Sequence, residues 1–223
     1  MKKRWIILIL AIVAIAVLVT VAVLYFNEKK QNDLLTSEIN SLSETNTNTE
    51  VKCEGQYGIV EKLVKEDYKL YIESVNKLRE NYESLSQAKV INLDNYENDG
   101  PEFIESLGLL NGIKEENAKI IEELTALTDE AKIEEKATAA GLESRFVDMY
   151  KDILSQIKLN DGITSIKEAD SKYSAYNDSL IAVLNYLKEN STSWFIENGT
   201  LKSNSQTFID EYNSMVQETN IEL

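Results

Sequence analysis

The chain has 223 residues, with 23 Lys and Arg against 38 Asp and Glu, no histidine and one cysteine, for a formal charge of −15. These counts exclude a Ser-His-Asp triad, a His-ligated zinc or haem, an internal disulfide, a Cys-cluster metal site and an iron–sulfur centre. An acidic chain repels phosphates, so nucleic acid is not an expected partner.

Lys2, Lys3 and Arg4 precede Trp5–Phe26, 22 residues without a charge. A bilayer core takes about 20 apolar residues at about 1.5 Å each. Trp5, Tyr25 and Phe26 bracket the run, and aromatic residues favour membrane interfaces. A cleaved signal peptide would have a shorter apolar region and a small-x-small site. Leu24-Tyr25-Phe26-Asn27 supplies no such site. The expectation is an uncleaved transmembrane anchor over 5–26, with the lipid bilayer as its partner. The basic flank predicts a cytoplasmic tip at 1–4 and everything after 26 outside. That remainder holds 20 basic and 38 acidic side chains, or −18.

Residues 27–56 read as a flexible stalk. Leu34, Leu35, Ile39 and Leu42 have helical spacing, but Ser41–Glu50 is almost entirely Ser, Thr, Asn and Glu and offers little apolar surface to offset ordering entropy. Cys53 in this stretch is read as an exposed thiol, inert or paired between chains.

From Tyr57 the pattern is helical. Val64, Tyr68, Tyr71, Val75, Leu78, Tyr82 and Leu85 form a heptad seam on a helix predicted over 57–89, roughly 50 Å long. Asp99-Gly100-Pro101 marks a break and restart. A second helix follows on Phe103, Leu107, Leu110, Ile113, Asn117, Ile120 and Leu124, with a kink or restart at Thr128-Asp129. Leu142, Phe146, Tyr150, Ile153 and Ile157 give a third apolar face, and Asn160-Asp161-Gly162 predicts a turn. A fourth face runs Ile166, Ala169, Tyr173, Tyr176, Leu180, Leu184 and Leu187. Asn198-Gly199 between Trp194-Phe195-Ile196 and Thr200-Leu201-Lys202 predicts a β-hairpin, and Ser205 caps a last helix. The fold class expected is therefore all-α: transmembrane helix, stalk, and an extracytoplasmic antiparallel helical bundle over 57–223 with a short C-terminal hairpin.

No constellation carries chemistry. Asn95–Gly100 has the glycine of a calcium loop, but Ser106 stands where an EF-hand needs a bidentate Glu. The pairs Glu115/Glu116, Glu122/Glu123 and Glu134/Glu135 fall on predicted outer faces, without the burial that tunes a catalytic acid. Gly108 and Gly112 read as a helix crossing or local break. No catalytic, cofactor or metal residue is assigned, and no enzyme is expected. Tyrosine is the informative residue. Tyr68, Tyr71 and Tyr82 share one helix and Tyr173 and Tyr176 another, so side-by-side packing would line a groove for a ligand or partner. The ordinary alternative is a core edge with hydroxyls reaching polar groups. The Asn-, Lys- and Ile-rich composition suggests a bacterial chain, where the glycosylation patterns at Asn177, Asn190 and Asn198 are chance matches.

Tyr96-Glu97-Asn98-Asp99-Gly100-Pro101, followed by Tyr186-Leu187, Phe195-Ile196-Glu197-Asn198-Gly199, Ser205-Gln206 and Glu211-Tyr212-Asn213, resembles a family of bacterial cell-envelope proteins, including enterobacterial lipoproteins, known as a domain of unknown function. The resemblance spans about residues 60–217. It implies an envelope location and carries over no catalytic residue. The lipoproteins have a lipidated cysteine where this chain has an apolar helix. The functional expectation is a membrane-anchored interaction or structural module with an unidentified envelope partner or a second copy. The alternative is a bundle that binds a small molecule or cell-wall fragment.

Overall fold

A computed structural model describes residues 25–219. The anchor expected over 5–26 and the tip at 1–4 lie outside these residues, save Tyr25 and Phe26. Among the described residues no helix is long and apolar enough to cross a membrane. The helical expectation holds. Helix α1 is described over 25–40. It is followed by α2 (Gly55–Gln87), α3 (Leu93–Asn98), α4 (Ile104–Ala126), α5 (Glu130–Ala139), α6 (Ser144–Gln156) and α7 (Leu159–Glu189). Strands β1 (Trp194–Ile196) and β2 (Leu201–Ser203) and helix α8 (Gln206–Glu218) complete the chain.

The chain divides into two compact units. One takes residues up to Leu70 with Glu130–Ile157, the other Tyr71–Asp129 with residues from Lys158 onward. Helix α2 contributes its first half to one and its second half to the other.

In the first unit the expected stalk over 27–56 is built into the fold instead. Leu35 and Ile39 of α1 and Cys53 are buried. After α1 the chain doubles back beside it, so that Glu54 N–H donates to Gln31 Oε1 at 2.9 Å and Lys52 Nζ meets Glu38 at 2.9 Å. The Ser/Thr/Asn-rich run closes on itself through the Ser43–Asn46 bridge and the Asn46 side chain on Ser41 O. Its ordering is offset by polar contacts to α2, which a count of apolar residues does not register. Tyr57 packs edge-on against Phe146 of α6, with centroids 5.0 Å apart.

In the second unit α4 and α7 run antiparallel. Glu102 meets Lys188, Leu110 O accepts from Asn177, and Lys114 pairs with Asp178. Helix α7 runs parallel to the second half of α2, as the first and third helices of an up-down-up bundle do: Tyr71 lies against Gly162, and Tyr82 against Asp170 and Tyr173. The turn predicted at Asn160-Asp161-Gly162 falls inside the first turns of α7, and the break lies earlier, at Lys158 with φ 56°. Gly162 is there for close approach, since a Cβ would stand 2.5 Å from the Tyr71 hydroxyl.

The hairpin forms as predicted, with Trp194 opposite Ser203 and Ile196 opposite Leu201. Asn198 and Gly199 both have positive φ, 54° and 67°, the signature of a type I′ turn. The hairpin seats Trp194 in an aromatic cluster with Tyr96, Phe103, Phe208 and Tyr212. The indole N–H donates to Leu187 O at 2.7 Å, and the Tyr96 and Tyr212 hydroxyls meet at 3.0 Å. The short motifs at 96–101, 194–199 and 205–213 thus converge on one core edge.

Glycine substitutions separate tight from open helix positions. A Cβ at Gly58 would stand 2.5 Å from the Cys53 carbonyl oxygen, whereas nothing lies within 4 Å at Gly108 or Gly112. Gly58→Ala is expected to destabilise by about 1–3 kcal/mol despite alanine's helix preference. Gly108→Ala and Gly112→Ala should each stabilise by about 0.5–1 kcal/mol. Thermal unfolding checks both; equal signs at Gly58 and Gly108 would refute the close packing of the 50–54 segment on α2.

Candidate functional site

The second half of α2 presents Val75, Leu78, Arg79, Tyr82, Glu83 and Ser86 along one stripe, at the three- and four-residue spacings that share a helix face. Helix α7 brings Ile166, Ala169 and Tyr173 alongside, and the two enclose a groove of about 350 Å³. Tyr82 and Tyr173 stack with centroids 4.0 Å apart and planes 7° from parallel. The Tyr82 hydroxyl donates to Asp170 Oδ1 at 2.8 Å. Burial, then the Asp170 carboxylate, pushes its ionisation well above the ordinary phenol range. A phenol so held is a fixed wall, not an acid or base near neutral pH.

Of the five tyrosines expected to share a seam, Tyr82 and Tyr173 line this groove. Tyr71 lies on the same helix with its hydroxyl end against Gly162. Tyr176 packs on the core of the second unit. Tyr68 falls in the first unit. A regular heptad spacing aligns residues on one helix but does not say where their surroundings change.

The strongest electrostatic feature was missed from the sequence. Glu61 and Lys65, one turn apart on α2, are 0% and 2% exposed, and Asp67 is 1% exposed. The Lys65 ammonium donates to Glu61 Oε1 at 2.6 Å, Glu38 Oε2 at 2.9 Å and Glu50 O at 2.6 Å, which satisfies all three of its protons. Glu61 Oε2 accepts the backbone N–H groups of Lys52 and Cys53 at 2.9 and 2.7 Å. Burial works against the Glu61 carboxylate, but Lys65 and the two amides outweigh it and hold its pKa below the ordinary 4.5. Glu38 is lowered by Lys52 and Lys65. Lys65 is opposed by burial, yet its two glutamates raise it above 10.5. Asp67 accepts from Lys136 and from the Tyr150 hydroxyl. The available signal was the wide apolar arc Ile59, Val60, Leu63, Val64 and Tyr68, broader than a helix with one solvated face needs.

Cys53, expected exposed, is buried, with its thiol 3.8 Å from Gln31 O. Burial and then Glu61 push its pKa up to about 12, which suppresses the reactive thiolate. The Asn95–Gly100 segment uses its carboxylate for capping: Asp99 accepts the N–H groups of Glu105 at 3.0 Å and Ser106 at 2.8 Å. Among the described residues no group of three His, Cys, Asp or Glu is placed to hold a metal. Glu116 is half-buried and accepts from Asn81, while Glu115, Glu122, Glu123, Glu134 and Glu135 are exposed. Asn177, in the first glycosylation pattern, is buried and donates to Leu110 O. Comparison with protein-family models, curated proteins and solved structures finds no match.

Removing one partner of a buried ion pair costs about 3–5 kcal/mol. Lys65→Met should destabilise by that amount, and Glu61→Gln/Lys65→Met by less, because the glutamine oxygen still accepts the Lys52 and Cys53 amides. Glu38 and Glu61 have folded pKa values below 4.5, so their contribution is present in full above that pH and lost as pH falls through the folded values. Lys65 is raised, so its contribution is lost only as pH climbs through a value above 10.5. Urea unfolding from pH 2 to 7 checks this; a Lys65→Met variant with wild-type stability, or an acid limb unchanged in Glu61→Gln, would refute it.

Proposed function

We propose that this chain is a single-pass, membrane-anchored protein of the bacterial envelope whose helical domain, outside the cytoplasmic membrane, works by binding and not by catalysis. The observation that carries this reading is the contrast between two features. The buried charges around Lys65 are saturated by one another and by backbone groups, which suits a structural cluster. The groove between α2 and α7 is open, apolar and walled by a fixed pair of aromatic rings. A preformed apolar cavity with a few polar groups at its rim is the usual form of a small-molecule site. Turnover needs a group poised to give or take a proton, and the Tyr82 hydroxyl in the groove is tied to Asp170. The anchor rests on the uncharged run Trp5–Phe26 and its basic flank, and the envelope location also on the resemblance described above.

A second reading, docking of an envelope protein or a second copy, is favoured by Phe195 on the hairpin and by Ile104 and Leu109 on the α4 segment, which are exposed large apolar side chains. Photo-crosslinkers at Ser86 and at Phe195 in intact cells discriminate the two. A reproducible protein adduct from Phe195 would favour docking, and a small-molecule adduct confined to Ser86 would favour the groove. Release of product from any cell-wall glycan or peptide, abolished by one Asp or Glu substitution, would overturn the non-catalytic reading.

Topology has its own test. Thr200 is exposed beside the hairpin turn, and Cys53 is buried. Thr200→Cys in the full chain should react with a membrane-impermeant maleimide on intact spheroplasts, with Cys53 unlabelled until denaturation. Labelling of residue 200 only after lysis would sink the outward orientation.

A further inference from the structure

We propose that the groove between α2 and α7 binds a small amphiphile with a single carboxylate head, the carboxylate on Arg79 and the apolar body against Val75, Leu78, Ile166 and the Tyr82–Tyr173 pair. This rests on the binding role proposed above and names the class of ligand.

The argument starts from Arg79. It lines the groove and is exposed, and its one hydrogen bond is a long 3.4 Å contact to Asn76 Oδ1 on its own helix. Among the described residues no carboxylate forms an ion pair with it, in a chain with 38 acidic side chains. The other described arginine is committed: Arg145 pairs with Glu28 at 2.8 Å and sits 4.5 Å over the Phe146 ring. A guanidinium presents a planar fork of donors that matches a carboxylate at two points, and its attraction strengthens beside apolar walls that exclude water. Arg79 is thus a free anion receptor at the edge of an apolar slot.

The surrounding charges set the ligand's valence. Glu83 lines the same groove one turn along α2, and Asp170 lies behind the Tyr82 hydroxyl. Both repel further negative charge, which selects one anionic head over a polyanion. The groove's 350 Å³ is at the lower end of the range for small-molecule sites, so it suits a compact ligand. The flat stacked rings favour an aromatic or short aliphatic body.

The test uses the full chain in lipid nanodiscs and three matched probes: 4-phenylbutyrate, 4-phenylbutanol and 4-phenylbutylamine, titrated by calorimetry. The acid should bind at least tenfold more tightly than the alcohol or the amine. Arg79→Gln should reduce the acid to the level of the alcohol, with an unchanged melting curve. Ala169→Trp, which fills the slot, should abolish binding of all three. Acid affinity that survives Arg79→Gln, or an amine that binds more tightly than the acid, would overturn the proposal. Native mass spectrometry of protein taken from membranes supplies the second readout. An anionic molecule lost in Ala169→Trp supports the inference, and its mass tells a membrane fatty acid from a free organic acid. A neutral or cationic molecule lost in that variant overturns this inference while the binding role stands. No groove-dependent molecule and no probe binding would overturn both.

Discussion

The first unit depends on one ammonium group. Lys65 stands in the first half of α2 and reaches three acceptors from three parts of the chain: Glu61 on its own helix, Glu38 on α1 and the Glu50 carbonyl on the returning segment. A buried lysine without partners would neutralise or unfold its surroundings. This one is satisfied only if α1 and residues 50–53 are in place. The requirement runs both ways, because the Lys52 and Cys53 amides find their acceptor in Glu61, whose charge Lys65 balances. A polar segment that composition would leave free is thereby fixed. Replacing such a network by apolar residues of equal volume can be neutral for stability. What the charges add here is a specific register for a segment that has few side chains to bury.

The second unit is organised by packing and not by charge. Its core draws Leu85, Phe103, Leu110, Leu180, Val183, Leu184 and Leu187 together with the aromatic cluster around Tyr96 and Trp194. The antiparallel pairing of α4 with α7 closes one side of α7. The parallel approach of α2 on its other flank is looser between Val75 and Ser86, and the groove lies there. Near one end the Tyr71 hydroxyl fills the space that a side chain at Gly162 would take, and further along the Tyr82 and Tyr173 rings stack between the helices. These two side-chain contacts bound the groove.

Much of this was legible in the sequence where local chemistry decides the outcome. The Asn198-Gly199 turn, the Ser205 cap on Phe208 N–H and the restart after Thr128-Asp129 depend on a few adjacent residues, and each stands where it was read. What was not legible depends on distant partners. Glu61 and Lys65 look like an ordinary surface pair one turn apart; their burial depends on a segment 8 to 27 residues earlier in the chain. Gly162 looked like a turn residue until Tyr71, 91 positions away, occupied its missing side chain's space. The tyrosine spacing marks a stripe on α2, but only the interhelix geometry separates Tyr82 and Tyr173, which line the groove, from Tyr176, which packs on the core away from it, and Tyr68 in the other unit.

The distribution of polar groups argues for binding over chemistry. A catalytic carboxylate or phenol must be desolvated enough to shift its pKa and free enough to meet a substrate. In this protein the two conditions fall on different residues. Glu61, Asp67, Tyr82 and Tyr150 are desolvated, and each spends its polar atoms on a neighbour in the chain. Arg79 and Glu83 are free to meet a ligand, and both are exposed. A guanidinium that cannot lose its proton can position an anion but cannot act as an acid or base at neutral pH. The groove thus carries exposed Glu83 along its wall and a permanent cation, Arg79, at its edge. Such an arrangement suits recognition of charge and shape, the role proposed above for this groove.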